Sequence, residues 1–217
     1  MMSFSNAPIH VIDFEGSLQS GIVEYGIATI SNGVIESTHT RLCRPYGTIP
    51  YRETACHGIY EDELTRLLPI DTDWNLFSSL RGSGPFAAHN AFTEHQLLKA
   101  VWPYTASTQN FSDGQPSVTW GPWIDTLRLY ENLYQKLPSY KLESLIETFQ
   151  LQENLDALSK IHCPEKRRQY HSALYDAIAC ALLICRLINM PQFHSDGLPL
   201  LFKYSSYQQD CRQMELF

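Results

Sequence analysis

Two carboxylates interrupt an apolar run near the start of the chain, in Val11-Ile12-Asp13-Phe14-Glu15-Gly16-Ser17. Residues two apart in a strand share a face, so Asp13 and Glu15 aim together while Phe14 points the other way. Paired acids at a strand end either stay solvated or share a cation that offsets their repulsion and lost hydration. The second arrangement is a site for a hard divalent metal. Further acids lie near other element ends. Ala88-His89-Asn90-Ala91 ends a short strand, and Glu94 follows in the first turn of a helix. His171 precedes Asp176 by five residues, about a turn and a half, at the start of the strongest helix. Taken alone, a helix-start Glu reads as a macrodipole partner and a spaced His–Asp pair as coincidence. Taken together, Glu94 and Asp176 can converge on the centre that Asp13 and Glu15 begin, since sites are built where elements end.

The elements that must position these groups follow from pattern. Ile9 to Ile12, broken only by His10, has the composition of a buried strand. Gly21 to Ile30 and Val34 to Arg44 read as two more strands, with Ser31-Asn32-Gly33 as the hairpin turn between them. Pro45 to Pro50 is loop, and Tyr60–Leu68 and Asp73–Leu80 are short helices. Arg81 to Gly84 breaks the chain before a strand at Pro85–Ala88, and a helix runs from Thr93 to Trp102. Residues 104–122 form a long polar loop, either a lid over a substrate or an insertion packed on the surface. A strand at Trp123–Thr126 and helices at Leu127–Lys136, Tyr140–Gln150 and within Gln169–Met190 complete the core, and Pro191 ends the last helix. A hairpin followed by alternating helices and strands predicts an α/β fold. Its mixed sheet has about five strands, the first three antiparallel, and is flanked by helices.

The chain has 217 residues, of which 44% are hydrophobic and 18% charged, as in an ordinary single globular domain. Residues 1–190 read as the domain and 191–217 as a tail with little core material. No apolar run is long enough for a membrane span and no signal pattern opens the chain, so the expectation is a cytoplasmic protein with no membrane partner. The six cysteines form no CxxC pair and read as reduced thiols. A net charge of −7 argues against broad, charge-driven binding to nucleic acid, though not against action on a nucleic-acid end.

In this order and spacing, the three segments resemble the DEDDh family of 3′–5′ exonucleases. This ribonuclease-H-like group includes the proofreading subunit of bacterial replicase. Val11 to Gly16 is similar to the family's first motif, Ala88 to Ala91 with an acid at 94 to its second, and His171 to Ala177 to its third. His57-Gly58-Ile59 and Ile124 to Leu127 are smaller echoes. The resemblance implies a ribonuclease-H-like sheet and two Mg²⁺ or Mn²⁺ ions held by Asp13, Glu15, Glu94 and Asp176. It also implies His171 as general base and release of nucleoside 5′-monophosphates from single-stranded or frayed 3′ ends. DNA is favoured over RNA. Substrate contacts would come from Phe14, Gly16, Ser17, His57, Ile59, His89 and Asn90, with Phe14, His57 and Ile59 stacking on or wedging the terminal bases. His57 reads equally well as a satisfied loop histidine, and Asn90 as a helix cap.

Glu94 departs from the family's usual Asp. The extra methylene moves the carboxylate by about 1.5 Å, against the near-octahedral geometry that Mg²⁺ demands. The alternative function is therefore an impaired exonuclease fold serving as a nucleic-acid-binding or replisome adaptor. Lys166-Arg167-Arg168 either holds phosphates of the substrate strand or is a solvated loop. The chain's last residues, with Gln213, Leu216 and Phe217, resemble the pentapeptide by which bacterial replication proteins dock on the sliding clamp.

Overall fold

A computed structural model describes residues 7–193 and 197–206. Its first strand, β1 (Ile9–Ser17), lies at the middle of the sheet because its apolar residues are needed on both faces. β2 (Gly21–Ser31) and β3 (Val34–Leu42) follow as antiparallel neighbours. Asn32 and Gly33 both take positive φ at the turn between them, as a tight hairpin requires. The chain continues through α1 (Tyr51–His57), α2 (Glu61–Leu64), α3 (Trp74–Ser83), β4 (Phe86–Ala88) and α4 (Ala91–Val101). A small hairpin, β5 (Thr108–Gln109) with β6 (Pro116–Ser117), precedes β7 (Ile124–Asp125). The helices α5 (Thr126–Leu133), α6 (Leu142–Thr148), α7 (Gln152–His162), α8 (Ala173–Ile188) and α9 (Gly197–Ser205) complete the described residues. Strand order is β3-β2-β1-β4-β7, with β4 parallel to β1 and β7 parallel to β4. The expected architecture is met: a mixed five-stranded sheet flanked by helices.

Alternation along β1 divides the core. Ile9 and Val11 face α8 and pack with Ala28, Ile178 and Ile184, whereas Ile12 and Phe14 face Phe77, Phe86, Leu98 and Trp102. Asp13 and Glu15 continue the row of Ile9 and Val11, so they emerge beneath the N-terminus of α8.

Several expectations are corrected. α1 and α7 lie where no helix was expected, and α3 runs through Gly82 to Ser83 before Gly84 stops it. α4 starts at Ala91, two residues earlier than the periodicity suggests. The long loop is no lid. Buried Arg81 donates to the carbonyls of Gln109 (3.2 Å) and Gly121 (2.8 Å), and Trp120 stacks on Phe86 and donates to the carbonyl of Trp102 (2.7 Å). These contacts hold the insertion against the start of β4 and the end of α4, at the far end of that helix from Glu94. α9 falls in the segment expected to hold little core material, yet its Leu198 and Leu201 are buried in the main cluster. The sliding-clamp segment, with Gln213, Leu216 and Phe217, lies outside the described residues. Among the described residues, no helix is long and apolar enough to cross a membrane.

Candidate active site

The register of the central hairpin builds the first half of the site. Asp13 stands opposite Gly26, and Glu15 opposite Glu24, so one face of the ladder carries three acids and a gap. The gap admits α8: a Cβ on Gly26 would come within 2.2 Å of the backbone nitrogen of Leu174. Asp176, in the first turn of α8, thereby reaches the two acids of β1. Just beyond Glu15 the ladder shifts register, and Gly16 takes φ 123° with no room for a side chain beside the carbonyl of Gly21.

Glu94 arrives from the other side. Asp125, at the end of β7, accepts the backbone N–H groups of Asn90 (3.0 Å), Ala91 (3.1 Å) and Leu127 (3.0 Å). One carboxylate thus caps α5 and anchors the entry to α4, which sets the height of Glu94. The backbone N–H of Phe14 also faces Glu94. Asn90 sits in left-handed backbone (φ 64°), and its side chain donates to the hydroxyl of Thr93 at 3.1 Å.

The four acids are removed from water and repel one another, and each carboxyl is raised above its ordinary range. Burial, then repulsion from Glu94, Asp176 and Glu15, raises the Asp13 carboxyl well above its ordinary range. Burial and repulsion from Asp176 and Glu24 push Glu15 up to about 8, opposed by Arg167. Glu94, 6% exposed, is raised by burial and by Glu15. Asp176, 8% exposed, is pushed up to about 7 chiefly by burial, although the N–H of His171 holds it down. Oε2 of Glu94 and Oδ1 of Asp176 are buried with no hydrogen-bond partner. Repelling carboxylates with orphaned inward oxygens fit a hard divalent cation, which supplies the missing charge and partners together. One ligand atom each from Glu15, His171 and Asp176 lies within 4.8 Å of the others.

His171 precedes α8 in left-handed backbone (φ 62°), exposed, its N–H donating to Oδ2 of Asp176 at 2.9 Å. A cleft of about 650 Å³ opens beside it, lined by His89, Asn90, Tyr140, Tyr170, His171 and Asp176 among others. His89 meets the hydroxyl of Thr126 at 2.9 Å, and burial lowers its pKa to about 4, so the ring is neutral.

Other expected substrate contacts are placed elsewhere. Phe14 is buried against Phe77 with ring centroids 5.9 Å apart, and Ile59 packs with Val23, Ile49 and Leu64. Both are used by the core, and neither is free to stack on a base. His57 is buried at the end of α1, its Nδ1 accepting the N–H of Ile59 at 3.1 Å. Burial and Arg167 both lower its pKa. Ser17 spends its hydroxyl inside its own turn, on the N–H groups of Gln19 and Ser20. In the basic run, Arg167 pairs with Glu24, and Arg168 donates to the carbonyls of Cys163 and Lys160 at the end of α7. Of the positioning residues, Glu24 and Gly26 are not singled out by the sequence, whereas Asp125 appears there only within a minor echo and Arg167 only as a basic residue for phosphate or solvent. Only the strand register, which pairs 24 with 15 and 26 with 13, would have exposed the first two.

No family model matches the chain. A DNA polymerase III of PolC type from Halalkalibacterium halodurans is 25% identical over 167 residues, 77% of this chain; the chain spans about 10% of that much longer protein. Among solved structures, exonuclease X in complex with 5′ overhanging duplex DNA superposes with a TM-score of 0.66 at 23% identity. The match covers 91% of this chain and 99% of that one. The nuclease domain of 3′hExo, a DEDDh family member bound to rAMP, gives 0.56 at 17% identity over 89% and 94% of the two chains. The chain therefore has the ribonuclease-H-like fold of the DEDDh 3′-exonucleases.

Proposed function

We propose that this chain is a metal-dependent 3′–5′ exonuclease that releases nucleoside 5′-monophosphates from single-stranded or frayed DNA ends. The observation that supports the reading is the mutual repulsion of the raised carboxyls of Asp13, Glu15, Glu94 and Asp176, with Glu15, His171 and Asp176 within ligand distance of one another. Two divalent ions, Mg²⁺ or Mn²⁺, would be held by these four carboxylates and would supply Lewis-acid stabilisation of the phosphodiester's developing charge. The protein's own groups do the rest. His171 is exposed on the cleft side, tied through its backbone N–H to Asp176, and its imidazole is placed to take a proton from an attacking water. The cleft beside His89 and Asn90 offers the path for the strand. Its lining carries Lys141 and Glu143 as well as the neutral His89, so the wall is mixed in charge.

DNA is favoured by the polymerase relative and by the DNA named with exonuclease X; the rAMP named with 3′hExo makes RNA the competing outcome. Product analysis on 5′-labelled single-stranded DNA, single-stranded RNA and a mismatched duplex tests the assignment. Stepwise shortening of DNA with mononucleotide release is expected. Preferential digestion of RNA reassigns the sugar, and endonucleolytic fragments overturn the reading.

A further inference from the structure

His171 lies outside any helix, in left-handed backbone that few residues other than glycine adopt, yet the proposed reaction needs it at a fixed height above the acids. Its N–H is held by Asp176, and its carbonyl accepts from Nη2 of Arg167 at 3.2 Å. The same guanidinium donates through Nη1 to the carbonyl of His57, through Nε to Oε1 of Glu24 at 3.0 Å, and through Nη2 to Oε2 of Glu24. Oε2 of Glu24 also accepts the N–H of Ala173, the first residue of α8, at 3.0 Å. Glu24 is 3% exposed and stands directly across the ladder from Glu15.

We propose that Arg167 and Glu24 form a positioning unit that fixes the turn carrying His171 and keeps Glu24 out of the metal-binding carboxylates. The inference rests on the exonuclease reading. A planar guanidinium with donors in a fixed fork can hold a carboxylate in two-pronged fashion and still reach two carbonyls; a lysine ammonium, a point charge on a flexible stem, cannot. Three segments distant in sequence, β2, the end of α1 and residues 167–173, are thereby locked to one plane. Pairing also cancels the charge of Glu24, which leaves four acids to balance two divalent ions. This assignment opposes the phosphate-binding role suggested by the basic run, because the donors of Arg167 already point inward to protein acceptors.

The test compares wild type with Arg167→Lys and with the double variant Glu24→Gln/Arg167→Met, which removes both buried charges and so avoids leaving one unpaired. Turnover of a single-stranded oligonucleotide with Mn²⁺ should fall by about 10-fold or more in both, with KM little changed, since misplacement of a reacting group acts on the chemical step. Backbone amide exchange at His171 and Ala173 should quicken by about 10-fold or more as the turn loosens. Oligonucleotide binding, measured with Ca²⁺ in place of Mn²⁺, should keep its wild-type salt dependence. A loss of about 0.7 from the slope of log affinity against log salt would mark Arg167 as a phosphate contact and overturn the proposal. Unchanged turnover in both variants would also overturn it. If wild type itself cleaves nothing, the exonuclease reading fails, and the exchange rates alone decide whether the pair holds the turn.

Discussion

Gly26 stands opposite Asp13, and α8 rests in the space its missing side chain leaves: a Cβ there would lie 2.3 Å from the carbonyl oxygen of Ala173. Backbone cannot yield at that distance as a flexible side chain can, so Gly26→Ala must push the start of α8 off the sheet and take Asp176 with it. A stability loss of about 1–3 kcal/mol, the usual range for overpacking, is expected in denaturant titration. Activity should fall further than stability, because the displaced helix carries an acid of the centre. Wild-type activity in a destabilised Gly26→Ala would show that Asp176 need not sit so close.

Glu94 offers a buried oxygen without a partner, and its helix is set by Asp125 rather than by its own length. Glu94→Asp should retain activity and can raise it with Mg²⁺, while Glu94→Gln should lose on the order of 10²-fold, the cost of removing one preorganised electrostatic group. Mn²⁺ should support the natural enzyme at least as well as Mg²⁺. Full activity in Glu94→Gln would remove this residue from the metal set and favour the adaptor function.

His171→Ala should slow turnover by at least about 10²-fold, the lower range for general base catalysis. Because His171 also lies within ligand distance of Glu15 and Asp176, its two possible roles need separating. Calorimetric titration with Mn²⁺ should give nearly unchanged affinity; a drop of roughly 10-fold or more would make it a ligand.

Stability without metal should depend on pH in the direction opposite to that of salt-bridged carboxylates. Glu15 and Asp176 are raised from 4.5 and 3.8 to about 8 and about 7, so the folded state binds more protons than the unfolded one between about pH 4 and 8. Unfolding free energy therefore falls as pH rises through that window. Thermal melts of the metal-free protein should give a lower Tm at pH 8 than at pH 5, and Mn²⁺ should restore more at pH 8, where the ligands are charged. A metal-free Tm that rises over the same range would contradict the raised carboxyls.

Local pattern made the hairpin, the sheet and the three acidic segments legible, since alternation in β1 and the turn at Asn32-Gly33 are written in neighbouring residues. The partners of those segments are not local. Glu24 reads as one more acid in a strand until the register sets it against Glu15, and Arg167 reads as part of a basic surface run until the fold buries it against Glu24. Phe14 and Ile59 show the converse: large apolar groups beside a predicted site look available for bases, but the two small cores on either side of the hairpin claim them first. Arg81 and Trp120 likewise draw the 104–122 segment onto the core, by contacts spanning 28 and 18 residues that no sequence window contains.

One acidic centre, begun by Asp13, is proposed to remove nucleotides from a 3′ end. Its most direct test follows a 5′-labelled single-stranded DNA with Mn²⁺, using wild type and Asp13→Ala side by side. Wild type is expected to give a ladder shortening from the 3′ end with release of 5′-monophosphates, and neither Asp13→Ala nor wild type with chelator should give one. An Asp13→Ala protein that shortens the strand as fast as wild type would contradict this proposal.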